Sequence, residues 1–232
     1  MTEGIGRVEH IRSAAQAFRV RGAGEEIPHQ RLPGGDELVR EDVPGTGLEA
    51  AIAHQAAERL EPLRALDAAG LLYIEQPLAP DELLGHSRLA RELHTPVCLD
   101  ETLRDARAAR QIVELGGPRV WNLKVHRVGG LTEACRVVRV ARDAGFALWA
   151  GTMPESGLGS QAAIAAASLP GFTYPSDVEP SARWFGAGKD VIELTMSSDG
   201  TMNVPDRSIA AQLDLDRFHA ASRCLLRLQG SH

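Results

Sequence analysis

Glu75, Asp100 and Lys124 each close a short apolar run: Leu71-Leu72-Tyr73-Ile74-Glu75, Val97-Cys98-Leu99-Asp100 and Val120-Trp121-Asn122-Leu123-Lys124, at intervals of 25 and 24 residues. Two carboxylates and an ammonium gathered in one place could hold a cation and move a proton. Carboxylates without His or Cys beside them favour a hard cation, Mg2+ (or Mn2+), over zinc. Such a cation could take up a substrate carboxylate and stabilise the charge of an enediolate, while the lysine removes or restores the α-proton. The lysine is notable in itself, because the 25 basic residues comprise 23 Arg and only two Lys, Lys124 and Lys189.

The spacing matches one strand-plus-helix repeat, and strands alternating with helices predict a parallel sheet. Strands are expected at 71–76, 97–101, 119–125, 147–152 and 172–176, with helices at 81–94, 103–115, 131–144 and 158–168. Leu83, Leu84, Leu89 and Leu93 mark the inner face of the first helix, and Gly116-Gly117 and Gly145 end the next two. In a barrel of such units all strand C-termini open on one face, where active sites form. Period-2 alternation puts Tyr73 with Glu75, Cys98 with Asp100, and Asn122 with Lys124, so the three charges are expected inward at equal height. His126 would share the face of Lys124 only if its strand ran that far, and a loop or packing role is expected. Gly157 and Gly159 could open a helix toward an anion, although a structural turn is the plainer expectation.

The rest of the chain is less regular. Residues 1–65 read as a leader, rich in Gly and Pro, with one helix near 48–60. Residues 66–232 read as a partial barrel domain, with a loop and hairpin at 185–206 and a terminal helix at 207–228 that turns Leu213, Phe218, Leu225 and Leu226 inward. The chain has 232 residues, 44% of them hydrophobic and 24% charged, enough for one sizeable core. A formal charge of -6 with dispersed arginines gives no footprint for nucleic acid or an anionic membrane, so a small carboxylate substrate is the expected partner. Cys98, Cys135 and Cys224 are too far apart for a zinc knuckle and are expected to be buried free thiols. No signal peptide or bilayer-spanning run is recognisable, and a cytoplasmic protein is expected.

Several stretches together resemble the enolase superfamily, in the branch of o-succinylbenzoate synthases and N-succinylamino acid racemases. They are Ile74-Glu75-Gln76-Pro77-Leu78, Cys98-Leu99-Asp100-Glu101-Thr102, Asn122-Leu123-Lys124 with Arg127-Val128-Gly129-Gly130, and Trp149-Ala150-Gly151-Thr152-Met153-Pro154-Glu155-Ser156-Gly157-Leu158-Gly159. Ala167-Ser168-Leu169-Pro170-Gly171-Phe172-Thr173 and Asp177 extend the match. The resemblance implies a (β/α)7β barrel, here incomplete at about five parallel strands and without its capping domain. It implies that Glu75 and Asp100 are metal ligands and that Lys124 is the catalytic lysine. Asn122, Gly151 and Met153 are expected to contact substrate. The implied reaction is dehydration by α-proton abstraction in menaquinone synthesis, or 1,1-proton transfer on N-acylamino acids.

Three departures accompany the match. Ala50 stands where the family's first metal-binding Asp is expected, with Glu49 beside it and Asp42 upstream. No lysine precedes Lys124, so the family's Lys-x-Lys is absent, and Val125-His126 replaces a Pro-Gly. These departures leave other readings open beside the enzyme. One is a truncated or frame-shifted, inactive fragment. Another is a pseudoenzyme that completes its barrel with a partner chain, as a homo-oligomer would, because an open sheet exposes a pairing edge.

Overall fold

The computed structural model describes residues 11–12, 60, 62–204, 208 and 212–222. Its centre is a four-stranded parallel sheet in the order β2 (Ile74–Glu75), β3 (Val97–Leu99), β4 (Val120–Leu123) and β5 (Ala147–Ala150). Helices α1 (Leu83–Glu92), α2 (Ala106–Glu114), α3 (Leu131–Asp143) and α4 (Gly157–Ala167) follow these strands in turn. A two-residue strand β1 (Ile11–Arg12) pairs antiparallel with β6 (Thr201–Met202), and short helices α5 (Ala182–Phe185) and α6 (Leu215–Ala221) complete the described elements. The expected leader helix near 48–60 lies almost wholly outside the described residues.

Alternation along the strands sorts the side chains into two faces. Leu99, Trp121, Leu123 and Leu148 turn outward and pack on Ala109 and Ile112 of α2 and on Ala134, Val137, Val138 and Ala141 of α3, all buried. Full burial of such a side chain contributes roughly 1.5–3 kcal/mol, so this layer anchors the sheet. The polar atom of Trp121 is accommodated by donation from its indole Nε1 to the Pro118 carbonyl at 2.8 Å. The opposite face carries Tyr73, Cys98, Val120, Trp149 and Tyr174 as an apolar layer. Tyr73 stacks on Trp149 at 5.7 Å between centroids and meets Tyr174 edge-on at 5.8 Å.

Local signals set the helix ends. Asp105 caps α2 by accepting from the Ala108 amide at 2.6 Å. Gly129 and Gly130, at φ 94° and 108°, make the turn into α3 that a side chain would strain. Helix α1 begins at Leu83, later than expected, because residues 79–82 close a turn in which the Glu82 amide donates to the Ala79 carbonyl at 3.0 Å. That start leaves Leu89 and Leu93 buried but Leu84 exposed.

The described fold corrects other expectations. The fifth strand is not continuous: along residues 172–177 the strand pairing is reduced to isolated parallel bridges, Leu148 to Phe172 and Gly151 to Asp177. Pro175 brings no amide to the ladder, and at this break the Ala150 amide donates instead to Ser176 Oγ at 3.1 Å. The 185–206 hairpin survives only as a turn, with the Ser197 amide on the Thr201 carbonyl at 2.8 Å, while β6 pairs with β1. Leu213 is half-buried and Phe218 is exposed, whereas Leu225 and Leu226 lie outside the described residues. Cys98 is buried as expected, but Cys135 on α3 is exposed.

His86 on α1 is fully buried, and burial pushes its pKa below the ordinary 6.5. An unfolded chain takes up a proton at this residue as pH falls through about 6.5, whereas the native chain resists it, so His86 makes stability decline on acidification. The urea midpoint is therefore expected to fall between pH 7.5 and 5.5 more steeply in the unaltered chain than in His86→Asn. Equal slopes would contradict this assignment.

Candidate active site

Glu75, Asp100 and Lys124 do meet at the C-terminal ends of adjacent strands, but stepped and not at equal height. Glu75 lies opposite Cys98, and Cys98 opposite Val120. Asp100 therefore stands two residues beyond Glu75 along the sheet, and Lys124 two beyond Asp100. This is the stagger of strands tilted around a barrel axis.

The step sets the contacts. Lys124 Nζ donates to Asp100 Oδ2 at 2.9 Å. Arg127, on the turn after β4, grips the same carboxylate with both terminal nitrogens, Nη1 on Oδ1 and Nη2 on Oδ2. Asp100 is only 5% exposed, and the two cations compensate its burial. Glu75, nearer solvent, takes a 2.8 Å hydrogen bond on Oε1 from Asn122 Nδ2. Desolvation raises the Glu75 pKa, and the Asn122 hydrogen bond opposes that rise. The Asp177 carboxyl is likewise raised by desolvation, with the charges of Lys124 and Arg183 acting against it.

Asn122 is 1% exposed, and its amide faces Glu75 from within the protein. Its Oδ1 is buried without a hydrogen-bond partner and lies against Gly151, where an added Cβ would sit 2.1 Å away. Gly151→Ala is expected to cost about 2 kcal/mol in chemical denaturation, and Asn122→Ala in the same chain is expected to recover part of that loss. A Gly151→Ala chain of unchanged stability would show that this contact is not tight. Met153 is exposed at the rim, two residues further on.

Strand β4 stops at Leu123, so His126 does not share the face of Lys124. It sits exposed on the turn, its Nδ1 3.6 Å from Glu155 Oε2. The N-terminus of α4 is not open to an external anion, because the Gly157 amide donates to the buried Asp190 Oδ2 at 2.6 Å. Arg127 and Asp177 are the site residues that the strand-end pattern did not single out. Arg127 lies beyond the strand, and its signal was its place three residues after Lys124, close enough to fold back onto the same carboxylate.

Among the described residues no cluster of three or more His, Cys, Asp and Glu side chains is arranged to hold a metal ion. The donor set nevertheless fits a hard cation. Magnesium is commonly held by one or two carboxylates and keeps several waters. A carboxylate offers about four acceptor positions, so Asp100, with its three hydrogen bonds, retains one, and Glu75 has a second oxygen beyond the Asn122 bond.

The family described as Enolase C-terminal domain-like matches residues 36–208, beginning within the stretch read as a leader. The N-succinylamino acid racemase of Thermus thermophilus is 45% identical over 172 residues, 73% of this chain and 46% of that protein. An o-succinylbenzoate synthase of Geobacillus stearothermophilus is 43% identical over 145 residues, 62% of this chain and 38% of that protein. The structure of a probable mandelate racemase from Alicyclobacillus acidocaldarius superposes with a TM-score of 0.67 at 38% identity, covering 72% of this chain and 44% of that one. The chain thus spans less than half the length of these relatives.

Proposed function

The chain belongs to the Enolase C-terminal domain-like family, and from that membership we propose that it carries the barrel part of an o-succinylbenzoate synthase active site, dehydrating a small carboxylate substrate by removing its α-proton. The observation that carries this reading is the contact between Lys124 Nζ and Asp100 Oδ2 at 2.9 Å, on the rim that also presents Glu75. Lys124 takes the α-proton and then gives it to the departing β-oxygen, so that the C–O bond breaks and the hydroxyl leaves as water. Glu75 and Asp100 would hold a Mg2+ or Mn2+ ion, which would supply positive charge to offset the negative charge of an enediolate.

The remaining residues orient and enclose. Arg127 fixes the Asp100 carboxylate at both oxygens, and Asn122 fixes Glu75, so both acids are held before substrate arrives. Gly151 keeps the backbone close, and Met153 offers an apolar rim contact to the substrate's acyl part. Tyr73, Trp149 and Tyr174 form an apolar wall on the same face of the sheet. Free thiols at Cys98 and Cys135 suit a cytoplasmic setting.

The second reading is N-succinylamino acid racemisation, supported by the identity to the Thermus thermophilus racemase. Dehydration is placed first because racemisation exchanges protons on two faces of the α-carbon. Lys189, the chain's other lysine, is exposed on the loop after α5. The chain with Mg2+ is to be given the dehydration substrate, followed by absorbance of the o-succinylbenzoate formed, and separately one enantiomer of an N-succinylamino acid, followed by polarimetry. Turnover of the first supports dehydration, turnover of the second alone favours racemisation, and turnover of neither sinks both.

A further inference from the structure

Gln76 follows Glu75 directly, and none of the roles above uses it. It is the only non-glycine residue with positive φ among the described residues, at 40°. A side chain held in this region persists only when its surroundings over-determine it, and here they do. Gln76 Oε1 accepts from the Asp100 amide at 2.8 Å and the Thr102 amide at 3.3 Å. Its Nε2 faces the Leu78 carbonyl at 3.1 Å, Thr102 Oγ1 at 2.9 Å and His86 Nε2 at 3.2 Å.

The orientation of this amide follows from its neighbour. His86 Nδ1 lies 2.9 Å from the Glu82 carbonyl, which can only accept, so Nδ1 carries the proton and the neutral ring's Nε2 accepts. Nε2 then receives hydrogen bonds from the Leu78 amide at 3.3 Å and from Gln76 Nε2. With its nitrogen turned to His86, Gln76 can present only its oxygen to Asp100. The buried histidine on α1 thus sets the polarity of the strand end.

The consequence is geometric. The β2–β3 ladder runs through the main chain as far as the Gln76 amide on the Cys98 carbonyl at 2.8 Å. One step on, the Asp100 amide finds the Gln76 side chain where a backbone carbonyl would otherwise stand. The two strand ends can diverge into their loops while the carbonyl of one side chain ties Glu75's neighbour to the backbone of Asp100.

We propose that Gln76 is a positioning residue that sets the separation of the Glu75 and Asp100 carboxylates, and so the affinity of this rim for a divalent cation. The inference rests on the metal-binding reading above. It is tested by calorimetric titration of Mn2+ into the full chain, the Gln76→Leu and Gln76→Asn chains, and Leu89→Ala, a core change that removes none of the rim's polar groups. All are compared at a temperature where circular dichroism shows each folded. Both Gln76 variants are expected to bind Mn2+ at least tenfold more weakly than the unaltered chain, and Leu89→Ala to bind within threefold of it. Gln76→Asn keeps the amide chemistry and loses only reach, so it decides the matter should Gln76→Leu fail to fold. Unweakened binding by the folded Gln76 variants would overturn the inference alone, as would equal weakening in Leu89→Ala, which would reduce Gln76 to a structural role. Absence of binding by the unaltered chain would overturn the metal reading and this inference with it.

Discussion

In Lys124→Ala the rate of proton transfer is expected to fall by about a hundredfold to ten-thousandfold, while the thermal midpoint moves little. Lys124 is half-buried, and its removal leaves Asp100 still bonded to Arg127 at both oxygens. Lys124→Arg is expected to be as inactive as the alanine variant, because a guanidinium keeps the charge but does not give up its proton at accessible pH. Initial rates of o-succinylbenzoate formation measure both variants. An alanine variant within tenfold of the unaltered chain would remove Lys124 from the chemistry.

Asp100 carries the largest expected effect on stability. Its carboxylate is buried between Lys124 and Arg127, whose side chains are 14% and 17% exposed. Asp100→Ala leaves two cations facing each other with no counter-charge, and breaking such a pair costs about 3 kcal/mol. Replacing all three charges, as Asp100→Leu with Lys124→Met and Arg127→Met, is expected to recover most of that loss, since apolar replacements of similar volume avoid the desolvation of ions. Urea denaturation compares the two chains. If Asp100→Ala alone were as stable as the unaltered chain, the triad would be solvated and its geometry loose.

The positions of these residues were legible in the sequence to different depths. The βα period and the strand-end position of Glu75, Asp100 and Lys124 follow from alternation and spacing along one chain, so the sequence exposes them directly. The two-residue step between neighbours does not, because register belongs to pairs of strands. That step lets Asn122, two residues beyond the level of Glu75, donate a hydrogen bond to it, where alternation along one strand shows only that Asn122 shares a face with Lys124. The break at Pro175 was likewise hidden, since a run such as Phe172-Thr173-Tyr174 reads as a strand until the missing amide is considered against its neighbour. Phe218 reads as inward on helical periodicity, yet α6 leaves it exposed. Gln76 shows the same limit most sharply: before Pro77 it reads as the last residue of a strand, and only the packing of α1 reveals that His86 orients it.

The central claim, that this rim removes an α-proton through Lys124, is met most directly by proton nuclear magnetic resonance in deuterium oxide. The full chain is incubated with Mg2+ and an N-succinylamino acid, and the α-proton signal is followed against the non-exchanging methylene signals. The signal is expected to decay with the unaltered chain and to persist with Lys124→Ala. Persistence with an unaltered chain that also forms no o-succinylbenzoate from the dehydration substrate, or equal decay with both chains, would contradict the claim.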